Sequence, residues 1–459
     1  MYCLVLKYLK DGSGKELEQH NKSVEKGNYD LYLTVDADLQ KDIQDRLATY
    51  IPNKYSGKDY YHLMRVSVVV LNAKNGDLLV SANYPKPDFN RIEIEEKLAK
   101  EQGKKYTIYN DNNKGQDWTA YTERDLGTTK QTAPGSTAKV MSAMAGFMKI
   151  GIDVSEKTYR ITAKNQIESG IEPTGDSVTM HDAIVKSSNC YFVNLVNDKD
   201  LYSQLDTIYQ AIGASVCDIV PYYYRPRPDQ KKEERFHDSI NNNKKIALIK
   251  YANFFNDSKK DQIKMNKGEW KWAWGQGFDG HELKASPLNM ARLASAVVNN
   301  GVMPYTQYVI IKQKRNKQEK ELRREGGIQL MNSEDAKILK GYMLAEAANQ
   351  KERQKNKKNQ KPTVILPSNV GGKTGTPERE RQIGTIRKFN RKTREYELLP
   401  NKIKMNDGWY MFFIEGDEKH DPLAVVVRME RGVARAILSK RRCQRLRYRK
   451  SSSTVLTDL

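Results

Sequence analysis

Apolar positions along this chain fall into short β-like runs near both ends and helix-like runs between them. Behind Asp36, a residue suited to cap a helix, Leu39, Ile43 and Leu47 recur on one helical face. Val66 to Leu71 and Leu78 to Ala82 flank Asn75-Gly76, a pairing that predicts a hairpin. Near the far end, Trp409 to Ile414 and Leu423 to Met429 form a second apolar pair around a charged turn. A fifth strand is predicted at Lys373 to Thr376, after Val370-Gly371-Gly372.

Between these ends, Thr137 to Ile150 reads as a helix. Val140, Met141, Met144, Ala145, Phe147 and Met148 make it apolar on nearly every face, which predicts burial. A shorter helical stretch covers His181 to Lys186, and Val433 to Arg445 reads as a closing helix before a loose tail, Ser451 to Leu459. Strands first and last with helices between predict an α/β (α+β) fold. It would be a five-stranded antiparallel sheet flanked by helices, with an inserted all-helical lobe at about 131–260.

Three short motifs lie on this frame in a fixed order. Ser136-Thr137-Ala138-Lys139 follows Pro134-Gly135, Ser187-Ser188-Asn189 comes about fifty residues later, and Lys373-Thr374-Gly375-Thr376 is third. The first two patterns are common in a chain this rich in serine and lysine, and the third is rare, so the order carries the weight. Ser136 stands at a helix N-terminus, where free N–H groups and the dipole favour developing negative charge. Lys139, three residues on, shares its face. A serine hydroxyl is a weak nucleophile until a base takes its proton. A lysine can be that base only if its pKa falls from about 10.4 toward 7, which burial beside a second cation, Lys373, would achieve.

Ser187 and Asn189 are expected on a loop, Ser187 to relay a proton and Asn189 to hold a substrate amide. Gly375 would admit a ligand backbone, while Lys373 and the hydroxyls of Thr374 and Thr376 would bind a carboxylate. The backbone N–H groups of Ser136 and Thr376 would form an oxyanion hole. If the Lys373 strand is a sheet edge, an extended peptide can add to it.

These motifs belong to the set shared by serine β-lactamases and penicillin-binding proteins. Three longer stretches narrow the likeness: "LYLTVDADLQ" (Leu31 to Gln40), "VVVLNAKNGDLLVSANYPKPDFN" (Val68 to Asn90) and "GQGFDGHELKASPLNMARLASAVVNNGVMP" (Gly275 to Pro304). Over about residues 30–440 the chain resembles the transpeptidase domain of class B penicillin-binding proteins. The resemblance implies a β-lactamase/D,D-transpeptidase-like fold and a D,D-transpeptidase without cofactor or metal. Ser136 would attack the D-Ala–D-Ala bond of a peptidoglycan stem peptide and release D-alanine, and a neighbouring stem's amine would resolve the acyl-enzyme. β-Lactam antibiotics would acylate the same serine, and a membrane-embedded glycan polymerase would be a partner.

The chain departs from the family pattern in places. Met1 to Asn28 resembles the remnant of a pedestal domain, residues 441–459 read as a basic tail, Pro377 to Asn406 is a long basic loop, and Lys312 to Glu325 is insertion-like. A hydrolytic reading, D,D-carboxypeptidase or β-lactamase, would need a second base to hold water, with Glu233, Glu234 and Glu282 as candidates. A penicillin sensor or scaffold is the third reading.

Composition adds bounds. A 38% hydrophobic content over 459 residues suffices for a sizeable core. The net charge of +21 is concentrated in runs at Arg225 to Arg235, Lys312 to Arg324, Lys351 to Lys361, Arg379 to Arg394 and Lys440 to Lys450. Solvated loops, or attraction to anionic headgroups and wall polymers, explain such runs. Nucleic-acid binding is not expected, because no recognisable module interleaves them with stacking aromatics. No apolar stretch is long enough for a membrane helix and no signal peptide is visible. The implied substrate lies on the outer face of the cytoplasmic membrane, so the chain is expected to be part of a longer, anchored protein. Cys3, Cys190, Cys217 and Cys443 suggest no disulfide framework, with Cys190 read as a small buried residue. The six histidines lack metal spacing.

Overall fold

The computed structural model describes residues 29–56, 64–86, 125–160, 177–214, 283–315, 318–322, 324–355, 366–390 and 395–430. The closing helix, the tails, Glu233, Glu234, Glu282, Cys3, Cys217, Cys443, the first and last basic runs and the start of the Gly275 stretch lie outside them.

The central sheet is built from β1 (Arg65–Asn72), β2 (Leu78–Tyr84), β3 (Val370–Gly375), β4 (Gly408–Ile414) and β5 (Leu423–Glu430), in the order β3-β4-β5-β1-β2. Every neighbouring pair is antiparallel. The predicted five-stranded sheet is therefore present, with the Lys373 strand at one edge. Strands from both chain ends meet at the centre, where β5 pairs with β1 over Leu423↔Asn72 to Glu430↔Arg65. Alternate residues then serve two cores. Val66, Val68, Val70, Tyr410, Phe412, Val425 and Val427 point to one side, and Val69, Leu71, Met411, Phe413 and Val426 to the other.

Helix α1 (Ala37–Tyr55) covers the first side. Asp36 caps it, its carboxylate accepting from the Leu39 N–H at 3.0 Å. Leu39, Leu47 and Ile51 are buried against the strands, with Ile43 half-buried beside them. Each fully buried aliphatic contributes roughly 2 kcal/mol against about 1 kcal/mol for the cap, so packing holds this helix and the cap sets where it begins.

The second side carries α2 (Lys139–Ile150), α3 (Met180–Lys186), α4 (Asn189–Asp198), α5 (Tyr202–Ile212), α6 (Pro287–Val298) and α7 (Ser333–Lys355). As its all-round apolar pattern predicts, α2 is buried from Lys139 through Phe147. The α-helix starts two residues later than predicted. Residues Gly135–Ala138 form a tighter 3₁₀ turn, with the Lys139 N–H reaching the carbonyls of Ser136 and Thr137. The lobe predicted as all-helical also holds one small strand pair, Tyr159–Arg160 with Ser177–Val178.

One other expectation of the fold changes. Pro377 to Asn406 is a two-stranded ribbon rather than a loop, Glu378–Asn390 pairing with Glu395–Asn406. Its charge hid the strands from the sequence pattern. The stretch read as an insertion supplies a hairpin, Val309–Arg315 with Gln318–Leu322, that joins Tyr29–Leu33 in a separate three-stranded sheet.

Two substitutions test these readings. Asp36→Ala is expected to lower stability by about 1 kcal/mol. Gly341→Ala, in the middle of α7 where an added methyl meets open space, is expected to raise it by about 0.5–1 kcal/mol. Chemical denaturation of both variants beside the parent checks the signs.

Candidate active site

The three motifs converge at the β3 edge. Ser136 lies in the 3₁₀ turn, half-buried, one residue after Gly135, whose φ is +58°. A Cβ at Gly135 would lie 2.6 Å from Pro377 Cδ and 3.2 Å from the Thr376 nitrogen. A Cβ at Gly375 would lie 2.5 Å from the Pro134 carbonyl oxygen. The two glycines thus let the serine turn and the end of β3 press together. This brings the backbone at Gly135, next to Ser136, close to that of Thr376.

Lys139 is the centre of the site. Fully buried on α2, it donates from Nζ to Ser136 Oγ at 2.9 Å, to Ser187 Oγ at 2.8 Å and to the Ser187 carbonyl at 2.6 Å. Burial drives its pKa well below the usual lysine range, and the nearby charge of Lys373 lowers it further. Both causes match the expectation, with burial the larger.

Ser187 reaches Lys139 through an unusual backbone. It ends α3 in the left-handed region, φ 60° and ψ 46°. For a non-glycine residue this costs on the order of 1–2 kcal/mol. The conformation turns both the carbonyl and the hydroxyl of Ser187 onto the Lys139 amine, and those two contacts offset the strain. Asn189 is not on a loop: it opens α4, half-buried, one residue beyond Ser188. Cys190 is buried beside it, as expected.

Lys373 is 1% exposed. Its Nζ donates to the Thr374 carbonyl at 3.3 Å and lies 3.6 Å from Glu346 Oε1. Thr374 Oγ1 donates to the same Glu346 oxygen at 3.2 Å and accepts from Gln350 Nε2 at 3.5 Å. The Thr374 hydroxyl is thus directed at α7, whereas Thr376 is exposed. Glu346 and Gln350 were absent from the sequence reading. The available signal was local: Leu339, Met343 and Ala347 mark the buried stripe of α7, and Glu346 is a carboxylate set within it.

Gly375→Ala is expected to force the Pro134 carbonyl away and destabilise by about 1–3 kcal/mol. Denaturant unfolding reads the loss.

Comparison with known proteins follows the same line. The family model described as penicillin binding protein transpeptidase domain matches residues 66–388. Among solved structures, penicillin-binding protein 2X from Streptococcus thermophilus superposes with a TM-score of 0.51 at 16% identity, covering 88% of this chain and 49% of that one. A peptidoglycan synthetase from Bifidobacterium adolescentis gives 0.49 at 13% identity, covering 89% and 57%. Penicillin-binding protein 3 from Mycobacterium tuberculosis, solved with aztreonam, gives 0.49 at 17% identity, covering 88% and 73%. The chain thus spans about half the length of the first of these proteins. No curated protein matches at a significant level. The family match covers most of the chain, the streptococcal structure shares its fold, and the motifs meet as described: the chain belongs to the penicillin-binding protein transpeptidase domain family.

Proposed function

We propose that the domain is a serine D,D-transpeptidase that cross-links peptidoglycan stem peptides through an acyl-enzyme on Ser136. The carrying observation is the buried Lys139 amine within hydrogen-bond reach of both Ser136 Oγ and Ser187 Oγ. Neutral Lys139 takes the proton as Ser136 Oγ attacks the carbonyl of the D-Ala–D-Ala bond. The tetrahedral oxyanion is held by the N–H groups of Ser136 and Thr376. When the C–N bond breaks, the proton returns from Lys139 through Ser187 to the departing D-alanine amine. An amine from a neighbouring stem then attacks the ester, loses its proton to Lys139 and restores the serine.

The remaining roles follow position. The donor peptide adds along the β3 edge, its terminal carboxylate meeting Lys373 and the exposed Thr376, and Asn189 holds a peptide amide. Thr374 serves this carboxylate only if its hydroxyl turns from Glu346. β-Lactams acylate the same serine. The work belongs to the outer face of the cytoplasmic membrane, on strands supplied by a membrane-embedded glycan polymerase.

Labelling with a fluorescent penicillin tests the reading. A stable adduct on the parent protein, absent from Ser136→Ala and persisting through a chase with unlabelled drug, is the expected result. Rapid loss during the chase would replace transpeptidation by hydrolysis, and no adduct on a folded parent would refute acylation. The acylation rate should also rise with pH as Lys139 loses its proton. The midpoint should lie well below the 10.5 of a free lysine, because burial and Lys373 both favour the neutral amine. Stopped-flow labelling across pH locates that limb.

A further inference from the structure

Glu346 is a buried ionisable group of the site to which the proposed mechanism gives no role. It is 0% exposed on α7. One oxygen, Oε1, lies 3.6 Å from Lys373 Nζ and accepts from Thr374 Oγ1 at 3.2 Å and Gln350 Nε2 at 3.0 Å. The other, Oε2, is buried with no hydrogen-bond partner among the described residues. A pair this dry adds little to fold stability over an apolar pair of the same size, since desolvation cancels most of the attraction. Its placement points to the chemistry instead.

We propose that Glu346 is a positioning residue that decides which of the two buried lysines carries the proton, an inference that rests on Ser136 as the acylated nucleophile. Two ammonium groups in one buried groove repel, and their titrations are coupled. The surroundings of the two are unequal. Among the described residues, Lys139 on α2 hydrogen-bonds to serine oxygens, one carbonyl and two hydroxyls, with the Cys190 thiol of α4 nearby. Lys373 on β3 has a carboxylate against it. The pair of amines therefore keeps its proton on Lys373, leaving Lys139 with the free lone pair that Ser136 needs. The same charge on Lys373 then remains available to the substrate carboxylate. Without Glu346 the proton is shared between the two nitrogens. The productive arrangement, Lys139 neutral and Lys373 charged, then becomes a minor state at high pH.

The isosteric Glu346→Gln removes the charge and keeps the shape. Penicillin acylation by this variant should fall about tenfold or more at its plateau. The alkaline limb, where Lys373 loses its charge, should move down by about one to three pH units, the range for loss of an adjacent opposite charge. Glu346→Asp, with the charge kept and the reach shortened, should restore most of both. Lysine-selective ¹³C NMR on the full chain gives a second readout: the Lys373 Cε resonance should titrate at lower pH in Glu346→Gln than in the parent. An unchanged limb and an unchanged Lys373 titration would overturn the proposal, even with a lowered melting temperature, because a purely structural residue moves only the last. Should Glu346→Gln not fold, an unmoved limb in Glu346→Asp overturns it equally. A parent protein that titrates as expected but takes no penicillin would sink the acyl-enzyme reading and leave the charge assignment standing.

Discussion

The structure turns on keeping a lysine amine dry between two serines. Lys139 is buried to 0% exposure and bonded to Ser136 and Ser187, and burial, then the nearby charge of Lys373, lowers its pKa. Each part of that arrangement comes from a different element. The 3₁₀ turn before α2 supplies Ser136 and the first residue of α2 supplies Lys139, the end of α3 supplies Ser187 in a strained backbone, and the edge strand β3 supplies Lys373. A free lysine is charged at neutral pH and useless as a base. The desolvation that makes it a base also costs stability, and the cores on both faces of the sheet must offset that cost.

The architecture is suited to that load. The sheet closes through β5 and β1, strands far apart in the sequence. Both faces of the sheet are dense with valine, leucine and phenylalanine. This allows the polar groups at the β3 edge to be held rigidly without contributing stability themselves. Gly135 and Gly375 add the close approach that no side chain would permit. Rigid placement matters here because serine, lysine and oxyanion donors act only within hydrogen-bond distance.

Much of the fold could be read from local pattern. The Asp36 cap, the Asn75-Gly76 hairpin, the all-apolar α2 and the two strand pairs each follow from residues close in sequence. The errors have a common origin in interactions between distant residues. The 3₁₀ turn before α2 begins at Gly135, where a Cβ would meet Pro377, some 240 residues away. Asn189 opens a helix rather than a loop because Tyr191, Phe192 and Leu195 find a core to enter. In the Glu378–Asn406 ribbon and the Lys312 hairpin the density of charge masks the pattern by which a strand could be recognised.

By itself the sequence determined the chemistry available: a serine with a lysine one helical turn on, a second serine with an asparagine, and a lysine on a glycine-bracketed strand. These are covalent facts of spacing, and local propensity places Lys139 and Lys373 on their elements, though not Asn189. Only the tertiary structure decided their electrostatic state. Burial of Lys139, the left-handed turn at Ser187 and the pairing of Lys373 with Glu346 all depend on contacts across tens to hundreds of residues. A pKa is a property of surroundings, so no motif could carry it until the chain had folded around it.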